Sequence, residues 1–320
     1  MSKSKYAIGV DLGGTSVKIG IVSESGKIIK KTSIDTNAQN GPAAVISSIK
    51  NGIDQLISKN NIKDFIGIGL GSPGSVIGKK GIVKNPPNFP GWESVPVGKI
   101  LEKHYGLKCS VENDANAAAI GEMIFGAGKK LESFIMVTLG TGVGGGIIIN
   151  RKIYRGMLGA AGELGHVSID YKGVNCKCGS TGCIEAYAGN NYLVEWVAEE
   201  LRNYPNSYLN LLIKNNDNIL TPKLIHEAAE KNDEFSLYVI DKLGNYLGYA
   251  LASVINMLDI GKVIVGGGVA GFGDRLFNSI ESTIKERVLT PLRPRINVAP
   301  AKLKNAAGIK GASALAFYKA

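Results

Sequence analysis

Hydrophobic and polar positions fall into short apolar runs cut by glycine at two distant places in the chain. The stretch "YAIGVDLGGTSVKIGIVSESGKII" predicts strand, glycine turn, strand, turn and strand. The plan returns in "SFIMVTLGTGVGGGIIINRKIY", where an apolar run again ends in Leu-Gly and a second follows at once. Between them, "CSVENDANAAAIGE" predicts a strand over 109–111 and an alanine-rich helix starting at Asn113-Asp114. Leu247, Ala250, Leu251, Val254, Ile255 and Leu258 recur at helical spacing, and 263–265 form a short buried strand ending in Gly266-Gly267-Gly268. The tail "AAGIKGASALAFYKA" places Ala312, Leu315, Ala316 and Lys319 on one helical face. In contrast, "GSPGSVIGKKGIVKNPPNFPGWE" is dense in Gly, Pro and Asn and reads as a surface loop at a cleft mouth, with Trp92 either stacking on a ligand or anchoring the loop.

Composition narrows the class. At 320 residues the chain can form two lobes, and 44% apolar with 20% charged residues is a globular composition. No signal-peptide core, cleavage site or membrane-spanning apolar run is present, so a cytoplasmic protein without a membrane partner is expected. The net charge of +10 comes from scattered Lys and Arg, which reads as solvated surface and not as a nucleic-acid patch.

Three of the four cysteines lie in "CKCGSTGCIEAYAG". Cys176 and Cys178 are too close for an unstrained disulfide, and the Cys-x-x-Cys of a redox site is absent. Three thiolates with His166 of "GELGHVSID" make the closed ligand set of structural zinc; unligated thiols in a loop are the alternative. Such a knot would fix two carboxylates, Glu163 and Glu185, towards one place, where they can accept hydrogen bonds from sugar hydroxyls. Each alone reads as a solvated surface residue. Glu185 is expected to act on sugar, with the phosphate turns lying elsewhere.

Paired glycine turns suit phosphate, because exposed backbone amides cradle its oxygens. Gly13, Gly14 and Thr15 form the first candidate cradle, and Gly140, Thr141, Gly142 and Gly144 the second. The Gly-x-Gly-x-x-Gly match at 140–145 is no dinucleotide fingerprint, since a strand and not a helix follows it. Asp11 can hold Mg²⁺ through water. Lys18 either approaches a terminal phosphate or faces outward. Gly266, Gly267 and Gly268 suit the nucleoside end of ATP. Gly74, Ser75 and Asn88 can supply polar contacts to a polyol. Asp114 reads alone as a helix cap, but beside paired phosphate turns it reads as the carboxylate that takes the proton from an attacking hydroxyl; Asn113 can bond a neighbouring hydroxyl.

Together, "DLGGTSVKIGIV", "ENDANAAAIGE", "LGTGVGGGIII", "AGELGHVSID", "CKCGSTGCIEAYAG" and "VGGGVAG", in this order, resemble the ROK family of bacterial sugar kinases and repressors, over nearly the whole chain. The likeness is strongest to its ATP-dependent glucokinases. It implies an α/β, two-lobed actin/hexokinase-like (ribonuclease H-like) ATPase fold: a small lobe over 1–113 plus 304–320, and a large lobe over 114–303. It implies Asp114 as base, and Asn113, Glu163, His166 and Glu185 as sugar contacts. His166 would have one ring nitrogen on zinc and its other side towards sugar, with Cys176, Cys178 and Cys183 completing the metal site. The implied reaction is transfer from ATP to the 6-hydroxyl of a hexose, with glucose favoured over N-acetylmannosamine, N-acetylglucosamine, fructose or allose, in a homodimer or homotetramer whose lobes close. A repressor of this family would need a helix-turn-helix module before the first glycine turn, where only ten residues precede Asp11.

Overall fold

The computed structural model describes residues 5–57 and 62–318. They form two compact units: unit one from the described parts of Met1–Ser133, Gly146–Gly162 and Ala301–Ala320, and unit two from Phe134–Gly145 and Glu163–Pro300.

Unit one opens with the predicted antiparallel meander β1 (Tyr6–Leu12), β2 (Ser16–Ser23) and β3 (Ile28–Asp35). A crossover through the helix Gly41–Ile57 then adds β4 (Phe65–Ser72) parallel to β1. A small ribbon follows, β5 (Ser75–Ile77) against β6 (Ile82–Lys84), and then β7 (Cys109–Asn113) joins β4 in parallel. The sheet order is β3-β2-β1-β4-β7. Alternation along β1 sorts its two faces: Ile8, Val10 and Leu12 join Val45, Ile49 and Ile53 of the helix in one core. The opposite face carries glycine, and the C-terminal helix Ala307–Phe317 lies directly on it. A side chain at Gly9 or Gly69 would run into the carbonyls of Ile309 or Ala312.

The same helix meets the helix Asp114–Phe125, where a Cβ on Gly121 would sit 2.7 Å from the Cα of Gly311. This packing corrects the expected boundary at 113/114. The alanine-rich helix belongs to unit one because small residues let two helix backbones touch. Of the residues assigned to the C-terminal helical face, Ala312 and Leu315 are buried, Ala316 is half-buried, and Lys319 lies outside the described residues.

The Gly/Pro-rich stretch expected to be a surface loop contains the β5–β6 ribbon. Phe89 and Trp92 are buried there edge to face, and the Trp92 indole N–H donates to the Val83 carbonyl at 3.2 Å. Trp92 therefore anchors the segment to the core.

Unit two starts with the second glycine hairpin, β8 (Phe134–Leu139) and β9 (Val143–Ile149). Strand β9 passes into unit one at Gly146, where its end pairs with β10 (Lys152–Ile153). Strands β11 (Lys262–Gly267) and β12 (Asn297–Pro300) extend unit two in parallel, in the order β9-β8-β11-β12. The long helix Glu234–Leu258 buries Leu247, Ala250, Leu251 and Ile255 of the predicted stripe, with Val254 and Leu258 half-buried. Asp233 starts it by accepting from the N–H and hydroxyl of Ser236, at 2.9 and 2.7 Å. No helix among the described residues is long and apolar enough to cross a membrane.

Candidate functional site

The first glycine turn links β1 to β2. Gly13 N–H donates to the Ser16 carbonyl at 3.1 Å, and Gly14 and Thr15 are exposed. Thr36, at the end of the same meander, holds the turn twice. Its hydroxyl donates to the Gly13 carbonyl at 2.6 Å, and its N–H to the Thr15 carbonyl at 3.0 Å. Asp11 projects from the glycine face of β1 against Gly308, in the first turn of the C-terminal helix. Burial pushes its carboxyl above the ordinary value of 3.8, and Lys18 partly offsets this. Lys18 sits opposite Asp11 in the ladder, on the same face of the sheet, and is exposed.

The candidate base stands where β7 becomes a helix. Asn113 is the cap: its Oδ1 accepts from the N–H groups of Ala115 at 3.0 Å and Asn116 at 3.3 Å. Asp114, expected as cap or first-turn residue, is the first helical residue; its exposed carboxylate accepts from Ala115 N–H at 2.8 Å. Asn113 Nδ2 donates to the Gly74 carbonyl at 3.3 Å, so two of the predicted polyol contacts meet. Ser75 is exposed at the start of β5. Asn88, at a left-handed φ of 68°, lies beside Gly14 of the first turn.

Sequence reasoning missed the support beneath this junction. Glu112, 4% exposed, accepts from Asn113 N–H and Asn116 Nδ2, both at 3.2 Å, and from Arg155 Nε at 2.8 Å. Arg155 is 43 positions away, and no periodicity connects the two. The available signal was an acidic residue immediately before Asn-Asp in a buried strand.

In unit two, His166, Cys176, Cys178 and Cys183 converge, with ligand atoms all within 4.8 Å of one another. Cys178 and Cys183 Sγ are 3.7 Å apart, and Cys176 Sγ lies 3.9 Å from His166 Nδ1. Tetrahedral zinc with bonds of about 2.3 Å to sulfur requires sulfurs about 3.8 Å apart. The cluster fits that ion, and all three cysteines are free of disulfides. Gly179 and Gly182 take left-handed φ values of 92° and 71° to close the loop. Because Nδ1 faces the sulfurs, Nε2 of His166 lies on the other edge of the ring. The fourth cysteine, Cys109, is remote from the cluster in sequence; burial beside Glu102 pushes it up to about 12, as for an inert core thiol.

Glu163 is exposed and precedes the short turn Leu164–His166. Glu185 departs from expectation. Its Oε2 accepts from Val143 N–H at 2.9 Å, so this carboxylate reaches the second glycine turn. Within that turn Gly140 N–H donates to the Gly142 carbonyl at 3.0 Å, and Thr141 is exposed. Gly144 lies inside β9 and not in the turn. Gly266 and Gly267 end β11, where Gly267 has φ 93° and presses on the Leu139 backbone; Gly267 and Gly268 are exposed.

Residues 7–319 match the ROK family. The chain belongs to the ROK family. Among its relatives, this ROK chain is 37% identical over 310 residues to a glucokinase of Halalkalibacterium halodurans, covering 96% of this chain and 93% of that one. It is similar to the solved ROK family glucokinase from Streptomyces griseus in complex with glucose and AMPPNP, at 34% identity, a TM-score of 0.83, and coverage of 97% and 98%. A ROK family transcriptional regulator, described as a homolog of the E. coli MLC protein, superposes with a TM-score of 0.87 at 26% identity, over 98% of this chain and 78% of that one. The ROK fold is the α/β actin/hexokinase-like one.

Proposed function

We propose that this ROK protein is a hexose kinase that moves the terminal phosphoryl group of ATP to the 6-hydroxyl of a hexose, with glucose preferred. The observation that carries this reading is Asp114, an exposed carboxylate on the first residue of a helix whose start is fixed by Asn113 and by buried Glu112. Similarity to glucokinases along nearly the full chain supports the choice of sugar.

In this reading Asp114 accepts the proton of the 6-hydroxyl as that oxygen bonds to the γ-phosphorus. The bond from the γ-phosphorus to the bridging oxygen breaks, and ADP leaves. A carboxylate so placed contributes about 10²–10⁴-fold to rate. Asn113, Glu163, Glu185 and the Nε2 edge of His166 contact sugar hydroxyls, with Gly74, Ser75 and Asn88 as further polar contacts. Backbone amides of Gly14 and Thr15 and of Thr141 and Gly142 bind phosphate oxygens, while the Gly13 and Gly140 N–H groups close the two turns on the Ser16 and Gly142 carbonyls. The Gly266–Gly268 segment receives the nucleoside. Asp11 would hold Mg²⁺ through water, which when bound offsets phosphate charge. His166, Cys176, Cys178 and Cys183 would hold zinc in a structural role.

A coupled ADP-release assay over glucose, N-acetylmannosamine, N-acetylglucosamine, fructose and allose tests the proposal. The highest kcat/KM is expected with glucose. Another preferred sugar would move the specificity and keep the kinase; no sugar-dependent ADP release would overturn the kinase reading.

A further inference from the structure

Two glutamates were expected to serve the sugar alone, yet one of them is built into the wall of the second glycine turn. Glu185 Oε2 takes the N–H of Val143, the first residue after Gly142. Its carboxylate lies so close to Gly142 that any side chain there would collide with it. Gly165, next to His166, lies as tightly on the Val143 carbonyl, and a Cβ there would be 3.4 Å from Glu185 Oε2. On the turn's other arm, Asn190 N–H donates to the Gly140 carbonyl at 2.9 Å. The segment 185–190 therefore grips both arms of the turn. That segment is itself tied to the residues that follow His166, because Ile184 N–H donates to the Val167 carbonyl at 2.9 Å and the backbones of Cys183 and Ser168 pair in an isolated antiparallel bridge.

We infer that Glu185 is a positioning residue for the Gly140–Gly142 turn, coupling nucleotide affinity to the carboxylate assigned to the sugar. The inference rests on the proposal that this turn binds phosphate. The chemistry follows from which amides are left. A glycine turn binds phosphate only if its N–H groups keep one direction, and glycines by themselves do not fix one. A charge-assisted bond from Val143 N–H to a carboxylate pins the far end, and the Asn190 bond pins the near end. Among the described residues Oε1 of Glu185 makes no hydrogen bond, so one oxygen carries the turn while the other remains for a hydroxyl donor.

The test is calorimetric titration of the full-length, metal-replete protein with AMPPNP and Mg²⁺. It uses the wild type, Glu185→Ala, Glu185→Gln, Gly142→Ala and the Glu185→Ala/Gly142→Ala double variant. Losing a charge-assisted bond should raise the AMPPNP Kd roughly 5- to 30-fold in Glu185→Ala. Glu185→Gln keeps a neutral acceptor for Val143 N–H and should lose only about threefold. Gly142→Ala keeps the carboxylate but displaces it, so it should resemble Glu185→Ala, and the double variant should be little worse than either single one. The Val143 amide resonance should move upfield from wild type to Glu185→Gln, a signature that a general loss of stability does not produce. Should Gly142→Ala fail to fold, the two Glu185 variants carry the test. AMPPNP affinity within twofold of wild type in Glu185→Ala, or an unmoved Val143 resonance in Glu185→Gln, would overturn the inference while leaving the kinase proposal standing. A wild type that does not bind AMPPNP would instead remove the reading on which it rests.

Discussion

The two glycine turns look alike in sequence and are supported in different ways. The turn after β1 is held from within its own meander, by the hydroxyl and N–H of Thr36 on the Gly13 and Thr15 carbonyls. The turn after β8 is held by a side chain 42 positions away, the Glu185 carboxylate on Val143 N–H, which follows directly on the cysteine loop. The first support folds with its hairpins and needs no other loop. The second depends on a loop that, in unit two, has little apolar interior: Cys176, Cys183 and Ala186 form its small core, with Tyr187 and Tyr192 packed on it. A motif repeated in sequence is thus not a repeated mechanical design, and the two turns should respond to different perturbations.

The largest effect should come from a change that touches neither support. Asp114→Asn keeps the shape of the helix start but removes the proton acceptor, so kcat should fall about 100-fold or more. AMPPNP affinity should stay near that of the wild type, and calorimetry beside the ADP-release assay measures both. A kcat within tenfold of wild type would remove Asp114 from the base role.

Breaking the cysteine cluster should separate the turns. Cys183→Ser alters a fully buried ligand position, and the purified variant should carry no zinc where the wild type carries about one per chain. AMPPNP Kd should rise roughly tenfold as the Glu185 support loosens. Hydrogen exchange should accelerate at Val143 and remain unchanged at Gly13 and Thr36. Equal acceleration in both turns would mean that they share one support.

The converse experiment is Thr36→Val, which replaces a buried hydroxyl by a methyl and leaves the Gly13 carbonyl without its 2.6 Å donor. A stability loss of about 1–3 kcal/mol is expected from denaturant titration. Faster exchange should be confined to the first turn, with zinc content unchanged.

Asp11→Asn gives the smallest effect and has a defined pH dependence. Burial raises the folded-state pKa of Asp11 above 3.8, so folding favours the protonated acid. The resulting penalty is absent at pH below 3.8, where folded and unfolded chains are both protonated, and grows as pH rises through the folded-state value. Asp11→Asn should therefore raise Tm at neutral pH without Mg²⁺, lose that gain in acid, and weaken Mg²⁺-dependent AMPPNP binding. An equal Tm difference at acid and neutral pH would show that ionisation of Asp11 is not its cause.

By itself the sequence determined the features that close within a few positions. Both glycine hairpins formed where apolar runs met glycine, because a strand's alternation and a turn's φ demands are written into adjacent residues. The Cys-x-Cys-x₄-Cys spacing likewise required a tight loop, and the helix at Asn113-Asp114 announced its own start. Tertiary structure alone decided which of two adjacent polar residues caps that helix, and that Arg155 meets Glu112 from 43 positions away. It also placed the helix Asp114–Phe125 in unit one, through the contact of Gly121 with Gly311, and turned Glu185 onto Val143 N–H. The physical reason is common to these cases. A carboxylate takes whichever donors the folded backbone brings near it, and glycine admits a close neighbour without naming it, so such partners are set by chain crossings that local periodicity does not encode.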